Sequence, residues 1–266
     1  MASVTAALHR ADTVNYWADS KCAKAFWSQS ELPVFQQLVA DTIGLAAPQA
    51  GEHWLDLGCG GGTLTRAICD KTQDKIGSIL GLDYSAINST QYEKMAHERN
   101  AVGRIRFQCH DFSSGLGTLA DQSFDHAISG LSISYAQHYD EARGEWTQHA
   151  YHHLLREVAR VLRPGGRFVF SVNVPDPSWW AVGFRSLVGG VVRSPDRLLF
   201  LKNSLRMMKY GKWLKQEARK GRFHYLPSHA ITLKLQQAGF GVVSHTLSYA
   251  RQAYIFHAVV DPAHDR

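Results

Sequence analysis

The fold of this 266-residue chain is decided by one stretch, His53-Trp54-Leu55-Asp56-Leu57-Gly58-Cys59-Gly60-Gly61-Gly62. It has the pattern of a buried strand that runs into a glycine-rich turn, and a helical pattern follows from near Thr63. Glycines let the backbone bend tightly and approach a ligand closely, and the first turn of a helix presents unpaired NH groups. Strand, glycine turn and helix in this order predict a cofactor site, although a glycine pattern alone also occurs in plain turns.

Carboxylates follow the next two predicted strands. Gly81-Leu82-Asp83-Tyr84-Ser85 places Asp83 at the carboxyl end of the second strand, where a carboxylate can accept hydrogen bonds from both ribose hydroxyls. The alternative is that Asp83 only caps a helix. Gln108-Cys109-His110-Asp111-Phe112 ends the third strand with a second carboxylate and an aromatic ring. Together these residues predict a site for an adenosine.

Short apolar runs alternate with helical stretches from residue 53 onward, which is typical of a parallel sheet with helices on both faces. Helices are expected from Thr63, after Ser85, from about Thr147 to Leu162, and from Pro227-Ser228 through Ala238. Seven strands are predicted, at 53–57, 78–82, 104–109, 124–129, 166–174, 241–248 and 252–260.

These motifs resemble those of the class I S-adenosylmethionine-dependent methyltransferases, particularly the group that acts on small molecules. The glycine-rich stretch is similar to the first motif of that group. The similarity continues through Asp83 and Asp111-Phe112 to two later runs, Phe124-Asp125-His126-Ala127-Ile128-Ser129 and 155–166, and extends to 225–240. It covers about two thirds of the chain.

The resemblance implies a fold, a cofactor and the residues that hold the cofactor. The fold would be α/β, a Rossmann-like doubly wound sheet with an antiparallel last strand. The cofactor would be S-adenosylmethionine. Asp56, Gly58 and Gly60 would hold its methionine part, and Asp83 its ribose, with Tyr84 next to it.

The same resemblance assigns roles at the two ends of the cofactor. Asp111 would bind the adenine amino group, and Phe112 would lie against the adenine ring. Ser129 would supply backbone or hydroxyl contacts near the sulfonium, and Tyr16 is similar to an N-terminal tyrosine that covers the cofactor. The alternative for Tyr16 is a packed aromatic without a cofactor contact.

We expect one domain with four parts. Residues 12–45 predict one or two helices, the second from Pro33 with Phe35, Leu38, Val39 and Ile43 on its buried face. The parts are an N-terminal helical cover (1–50), a cofactor-binding core (51–175), an inserted helical lid (176–228), and a final helix with two strands (229–266).

The predicted lid differs from the rest of the chain in charge. It contains 11 Lys and Arg residues against three acidic ones, whereas the formal charge of the whole chain is only +6. Trp179 and Trp180 begin it, and a helix predicted from Arg197 to Lys209 carries an apolar stripe next to Lys202 and Arg206. The stripe could pack on two sides, or these residues could bind an acceptor.

An apolar pocket edged by cations suits a long hydrophobic acceptor with an anionic end, such as a prenyl, quinone-precursor or fatty-acyl compound. It could also rest on an anionic membrane surface. The alternative is RNA, because Trp179, Trp180, Trp213 and Tyr210 could stack bases near the basic residues. The segment Ser129-Gly130-Leu131-Ser132 lacks the Asp/Asn-Pro-Pro-aromatic motif of nitrogen-methylating relatives. We therefore expect a small molecule rather than a nucleic acid.

Methyl transfer from a sulfonium is an in-line displacement, so a general base is optional. His138 and Tyr135, after the fourth strand, are the catalytic candidates, with His224 and His229 as weaker ones. The spacing of cysteines and histidines predicts no metal.

No apolar run or N-terminal signal core is long enough to direct export or span a membrane, so we expect a cytoplasmic protein. The oligomeric state stays open.

Overall fold

The computed structural model describes residues 17, 20–27, 30, 32–178 and 209–262. Part of the predicted lid therefore lies outside the described residues, including most of the helix expected from 197 to 209. Six site candidates also lie outside them: Tyr16, Trp179, Trp180, Arg197, Lys202 and Arg206.

The described helices follow the predicted ones closely, except the one at 209–219, whose described residues share only Lys209 with the lid helix predicted from Arg197 to Lys209. They are α1 (Ser20–Trp27), α2 (Pro33–Ala46), α3 (Thr63–Lys71), α4 (Ser89–Glu98), α5 (His149–Val161), α6 (209–219) and α7 (Ser228–Gln237). The strands are β1 (His53–Leu57), β2 (Ser78–Asp83), β3 (Ile105–Cys109), β4 (Phe124–Gly130), β5 (His138–Asp140), β6 (Glu145–Thr147), β7 (Leu162–Asn173), β8 (Phe240–Ser248) and β9 (Ala253–Val260).

Seven of these strands form one sheet in the order β3-β2-β1-β4-β7-β9-β8. The first five strands in this order are parallel, β9 is antiparallel to β7, and β8 is antiparallel to β9. The prediction of a doubly wound sheet with an antiparallel last strand is confirmed. The chain winds in opposite directions from β1 and from β4, so the carboxyl ends of these two strands border the crevice in which open α/β sheets bind ligands.

Both faces of the sheet are buried at the central strands, as their apolar residues require, whereas the edge strand β8 is largely exposed. Leu55, Ala127 and Phe168 belong to the core under α5 and α7, whereas Ile128 and Val169 belong to the core under α2, α3 and α4. The predicted inner face of α2 is confirmed at Leu38 and Ile43, which are buried. The core therefore fixes the sheet rigidly beneath its carboxyl edge.

Two details differ from the predictions. The first difference is the start of β7, which begins at Leu162 directly after α5, whereas the sequence predicts a strand from 166. Phe124 pairs with Leu162 and His126 pairs with Arg167, so residues 163–166 form a bulge within the strand. A Cβ on Gly166 would come within 2.7 Å of two backbone oxygens, so only glycine fits there. The second difference is the antiparallel hairpin of β5 and β6, which the sequence analysis did not predict.

Among the described residues, no helix has the length and apolar character needed to cross a membrane. The described part of the predicted lid includes α6, which is helical as expected. Its residues Tyr210, Trp213 and Leu214 are buried. This part of the lid is therefore packed against the body of the protein.

Candidate functional site

The glycine-rich turn joins β1 to α3 at the carboxyl edge of the sheet. Gly58, Gly60 and Gly62 have φ values of 65°, 51° and 80°, a region that disfavours residues with a Cβ. A Cβ on Gly58 would lie 2.2 Å from Oγ of Ser132, whereas one on Gly60 would meet no atom within 4 Å. The turn is therefore tight at Gly58 and open at Gly60, where a ligand can approach the backbone.

Asp56 lies beneath this turn with only 1% of its surface exposed. Its Oδ2 accepts hydrogen bonds from Oγ1 of Thr65 at 2.8 Å and from the hydroxyl of Tyr92 at 3.2 Å. Its Oδ1 has no hydrogen-bond partner among the described residues. Burial raises the pKa of this carboxyl to about 6, against the opposing effect of the two hydrogen bonds. An unpartnered buried carboxylate oxygen favours a cationic ligand group.

Asp83 ends β2, and both its oxygens accept backbone hydrogen bonds. Oδ2 accepts from the NH of Gly60 at 2.9 Å, and Oδ1 accepts from the NH of Ser85 at 2.8 Å. The side chain of Asn88 also hydrogen-bonds to it, while burial raises its pKa. The carboxylate of Asp83 therefore binds the backbone of the glycine turn directly. Each of its oxygens can accept a further hydrogen bond from a ligand.

The third motif lines an open groove next to Asp83. Asp111 is exposed and caps a short 3-10 turn through its Oδ1, which accepts from the NH of Ser113 at 2.9 Å. Phe112 is buried, with its ring 3.5 Å from the Cβ position of Gly58. The groove has a volume of about 460 Å³ and is lined by Tyr84, Ser85, Ala86, Ile87, Cys109, His110 and Asp111.

Ser129 is fully buried, and its hydroxyl already has protein partners. Its Oγ donates to the backbone oxygen of Leu57 at 2.8 Å and lies 2.7 Å from Oγ of Ser132. In this arrangement the hydroxyl joins β1 to β4. Of the two contacts predicted for Ser129 near the sulfonium, the backbone contact is therefore the one that stays a prediction. The residue that packs on the glycine turn at Gly58 is Ser132.

Helix α1 covers the glycine turn through Trp27, which the sequence analysis did not single out. A Cβ on Gly61 would lie 2.9 Å from Cδ1 of the Trp27 ring. The indole Nε1 donates to Oδ1 of Asn88 at 2.7 Å, and Asn88 is 2% exposed. Trp27 and Asn88 are 61 residues apart, so only the fold brings them together.

Beyond Ser132, the chain enters an aromatic cluster that we call the aromatic wall, formed by Trp17, Phe26, Tyr135, Trp213 and Phe223. The ring centroid of Tyr135 lies 5.0 Å from that of Trp17 and 5.0 Å from that of Phe223. Trp213 contacts Trp17 and Phe223. The hydroxyl of Tyr135 lies 3.3 Å from that of Tyr225.

The histidine candidates are not placed with these groups. His138 is exposed on β5, where its Nδ1 lies 2.8 Å from Oγ1 of Thr147, and His229 is also exposed. His224 is buried, its Nε2 lies 2.9 Å from the backbone oxygen of Ala136, and burial lowers its pKa to about 4. Of the two catalytic candidates, the structure brings only Tyr135 next to the residues that pack on the glycine turn.

One cation of the predicted lid is buried and neutralised. Arg222 is 3% exposed and donates to Oε2 of Glu217 at 2.9 Å and to Oε1 of Gln137 at 2.5 Å. Its guanidinium also lies over the rings of Trp146, Trp213 and Phe223. This arginine therefore supports the aromatic wall from behind as part of an ion pair.

Comparisons with known proteins agree with this geometry. Residues 55–170 match a family described as a methyltransferase domain. The ubiquinone/menaquinone biosynthesis C-methyltransferase of Rubrivivax gelatinosus is 30% identical over 177 residues, which is 62% of this chain and 59% of that protein. A tRNA (guanine-N7)-methyltransferase of Caulobacter is 29% identical over 51% of this chain and 57% of its own length. The chain thus spans less than two thirds of these relatives.

A solved structure extends the likeness in fold. A chain in the complex of the Haloferax volcanii Trm112 methyltransferase activator with a methyltransferase superposes with a TM-score of 0.60. The match covers 96% of this chain and 100% of that chain at 18% sequence identity. At that identity the likeness concerns the fold alone.

S-adenosylmethionine, the cofactor that these relatives imply, fits the residues that line the site. The unpartnered oxygen of Asp56 suits its ammonium group, and the open backbone at Gly60 admits close approach. Asp83, at the end of β2, lies where a ribose can be bound. Residues 55–170 are thus similar to a methyltransferase domain, and the motifs and the sheet order are those expected of a class I S-adenosylmethionine-dependent methyltransferase.

Proposed function

We propose that this protein transfers a methyl group from S-adenosylmethionine to a small hydrophobic acceptor of the prenyl, quinone-precursor or fatty-acyl type. The observation that carries the proposal is the position of the aromatic wall. Tyr135 lies three residues after Ser132, and Ser132 packs directly on Gly58 of the glycine turn. An apolar surface thus begins at the edge of the cofactor site, where an acceptor has to lie.

The bound cofactor supplies an electrophilic methyl group on a good leaving group, so this chain has to bind, orient and exclude water. Asp56, Asp83 and the backbone at Gly60 would hold the cofactor. The bulky rings Trp17, Trp213 and Phe223 would exclude water from the acceptor side. Tyr84, Asp111 and Phe112 would bind the adenine end.

Tyr135 serves in this proposal as a positioning group and not as a general base. Burial raises the pKa of its hydroxyl above the ordinary value of a tyrosine, and it raises that of Tyr225 as well. Both hydroxyls therefore stay protonated near neutral pH. His138 is a weaker candidate because it is exposed on the β5 and β6 hairpin.

The acceptor class draws support from a relative that is named as a ubiquinone/menaquinone biosynthesis C-methyltransferase. The name of the Caulobacter relative includes tRNA as its acceptor. In the described part of the lid, however, the two aromatic rings predicted to stack on RNA bases are buried. Tyr210 is 6% and Trp213 is 8% exposed, and both pack inward. In this arrangement neither ring presents a face on which the bases of an RNA strand could stack. Contact of the basic lid with a membrane surface remains a proposal.

The test is a methyl-transfer screen with label in the methyl group of S-adenosylmethionine. Wild-type protein is incubated with lipid-soluble extract, total RNA and pooled polar metabolites in parallel. Label recovered in the lipid-soluble fraction supports the proposal. Label recovered only in RNA would contradict it. An Asp83→Ala variant, folded but impaired in cofactor binding, is the control for transfer that does not use this site.

A further inference from the structure

Asn173 is a buried polar residue that has no part in the proposed cofactor contacts. It ends β7 at the carboxyl edge of the sheet and is 2% exposed. Its backbone is fixed, because Asn173 pairs with Ala253 of β9 in the sheet register. Its Oδ1 has no hydrogen-bond partner among the described residues. An amide oxygen left unpartnered in a buried position costs roughly 1–3 kcal/mol, so a ligand that satisfies it gains affinity.

Two tyrosine hydroxyls converge on the same amide. Nδ2 of Asn173 donates to the hydroxyl of Tyr135 at 3.5 Å, and that hydroxyl lies 3.3 Å from the hydroxyl of Tyr225. The amide of Asn173 also hydrogen-bonds to Tyr225. We call these three residues the polar triad. If the amide is turned by 180°, its NH2 group becomes the unpartnered one, so the need for a ligand group persists in either orientation.

Among the described residues, the surroundings of the polar triad are aromatic and electrically neutral. Tyr135 contacts Trp17 and Phe223 of the aromatic wall, and Tyr225 lies 6.4 Å from Tyr135 between ring centroids. Arg222, the buried cation behind the wall, is paired with Glu217. A charged ligand group would thus be buried there without a counterion, which is strongly unfavourable.

We propose that the polar triad binds the acceptor through a neutral hydroxyl group on an aromatic ring, with the hydroxyl donating to Oδ1 of Asn173. This inference rests on the proposed function and narrows it to the quinone-precursor class, whose members are hydroxylated rings. The ring packs against the aromatic wall, and the hydrogen bond sets the orientation of the ring relative to the glycine turn. Asn173 is then a residue that determines specificity. A prenyl or fatty-acyl acceptor without a hydroxyl leaves its amide unpartnered.

Oδ1 of Asn173 is shielded from solvent, so side chains around it have to move for the acceptor to reach it. Trp17 and Phe26 of the wall belong to the N-terminal cover, and Trp27 of the same cover lies on the glycine turn. In this proposal, displacement of the cover would uncover the glycine turn and the aromatic wall together.

The test uses two probes with the same substituted ring, thymol and thymol methyl ether; the ether carries a methyl group in place of the hydroxyl hydrogen and therefore cannot donate a hydrogen bond. Each is titrated by ligand-observed NMR into wild-type protein saturated with S-adenosylhomocysteine. We expect thymol to bind roughly tenfold more tightly, since a site built to accept a hydrogen bond discriminates against a ligand that cannot donate one. Asn173→Leu, which keeps the side-chain size and removes the amide, should reduce the preference to less than about threefold.

Variants of two buried tyrosines provide a matched control. Tyr225→Phe removes a hydroxyl of the polar triad and should weaken the binding of thymol. Tyr151→Phe removes a buried hydroxyl that belongs to α5 and not to the polar triad, and it should leave the preference unchanged. Affinity for S-adenosylhomocysteine, measured by calorimetry on each variant, verifies that the protein is folded.

Three results would overturn the inference: equal binding of both probes by wild type, no binding of either, or a preference that persists in Asn173→Leu. Failure of the proposed function is recognised separately, because wild-type protein would then fail to bind S-adenosylhomocysteine or to transfer label. If cofactor binding and label transfer are intact and the hydroxyl preference is absent, only the role of the polar triad is wrong.

Discussion

The indole Nε1 of Trp27 donates a 2.7 Å hydrogen bond to Oδ1 of Asn88. Through Asn88, which also hydrogen-bonds to Asp83, this contact joins the N-terminal cover to the carboxylate that would bind the ribose. The Trp27 ring meanwhile lies against Gly61 of the glycine turn. Cofactor binding and the position of α1 are therefore expected to depend on each other.

Trp27→Phe removes this hydrogen bond and keeps most of the ring. Because one hydrogen bond contributes about 0.5–1.5 kcal/mol, we expect the affinity for S-adenosylhomocysteine to fall about two- to tenfold. Calorimetry measures this loss. Trp146→Phe, on the β5 and β6 hairpin, is the matched control and should leave cofactor affinity unchanged. Equal affinities of wild type and Trp27→Phe would mean that α1 only covers the turn.

The pH dependence of cofactor binding should reflect the carboxyl of Asp56, whose pKa burial raises from 3.8 to about 6. The cationic ammonium of the cofactor favours the ionised carboxylate. We therefore expect affinity for S-adenosylhomocysteine to increase from about pH 5 to about pH 7. The increase should be absent in Asp56→Asn. A parallel increase in both proteins would assign the titration to another group.

The same carboxyl should affect the stability of the cofactor-free protein in the opposite direction. A raised pKa means that the folded state favours the neutral acid, so the stabilisation is complete below about pH 4 and is lost as pH rises through about 6. The loss is on the order of 3 kcal/mol. Thermal unfolding of wild type and Asp56→Asn across this range measures it, and identical pH profiles would contradict the assignment.

Replacing only one partner of the ion pair between Arg222 and Glu217 should lower the free energy of unfolding. Their side chains are 3% and 5% exposed. Arg222→Met leaves the buried carboxylate of Glu217 with the half-exposed Lys220 as its cationic partner, 2.8 Å from Oε1. We therefore expect the free energy of unfolding in urea to fall by up to about 3–5 kcal/mol, the cost of breaking a buried ion pair on one side. The double variant with Glu217→Met should recover much of this loss. A double variant as unstable as the single one would show that the aromatic contacts of Arg222, rather than its charge, stabilise the wall.

The hypothesis of an anionic acceptor rests on lid cations outside the described residues. Replacing Arg197, Lys202 and Arg206 together with glutamine retains helix propensity and removes three charges. If an anionic end is bound there, the apparent affinity for the acceptor should fall while cofactor affinity stays nearly constant. Steady-state kinetics with the acceptor found in the screen measures both. Unchanged acceptor kinetics would contradict the binding of an anionic end by these three cations.

The parallel core could be predicted because its signals are local. The apolar runs of the strands, the glycine turn and the strand-end carboxylates each occupy about ten residues or fewer. The predicted bounds of β1, β2 and β4 therefore agree with the observed ones to within one residue. Strand β7 starts at Leu162, whereas the sequence predicts its start at 166, because the bulge at 163–166 depends on pairing with β4. Nothing in the sequence indicated that pairing.

The residues of the site that were missed are those that act over long sequence separations. Tyr92 bonds to Asp56 across 36 residues, and Tyr225 meets Tyr135 across 90. Asn173 had no motif at all, because its significance comes from burial at the end of β7 together with two hydroxyls from other elements. Only the fold brings such groups together, so they follow from tertiary packing rather than from local pattern.

The most direct test of the central claim is the calorimetric titration of S-adenosylmethionine and S-adenosylhomocysteine into wild-type protein, with nicotinamide dinucleotides as controls. We predict micromolar binding of both sulfur cofactors that is lost in Asp83→Ala, and no binding of the dinucleotides. Folded wild-type protein that binds neither sulfur cofactor would contradict the assignment of the site.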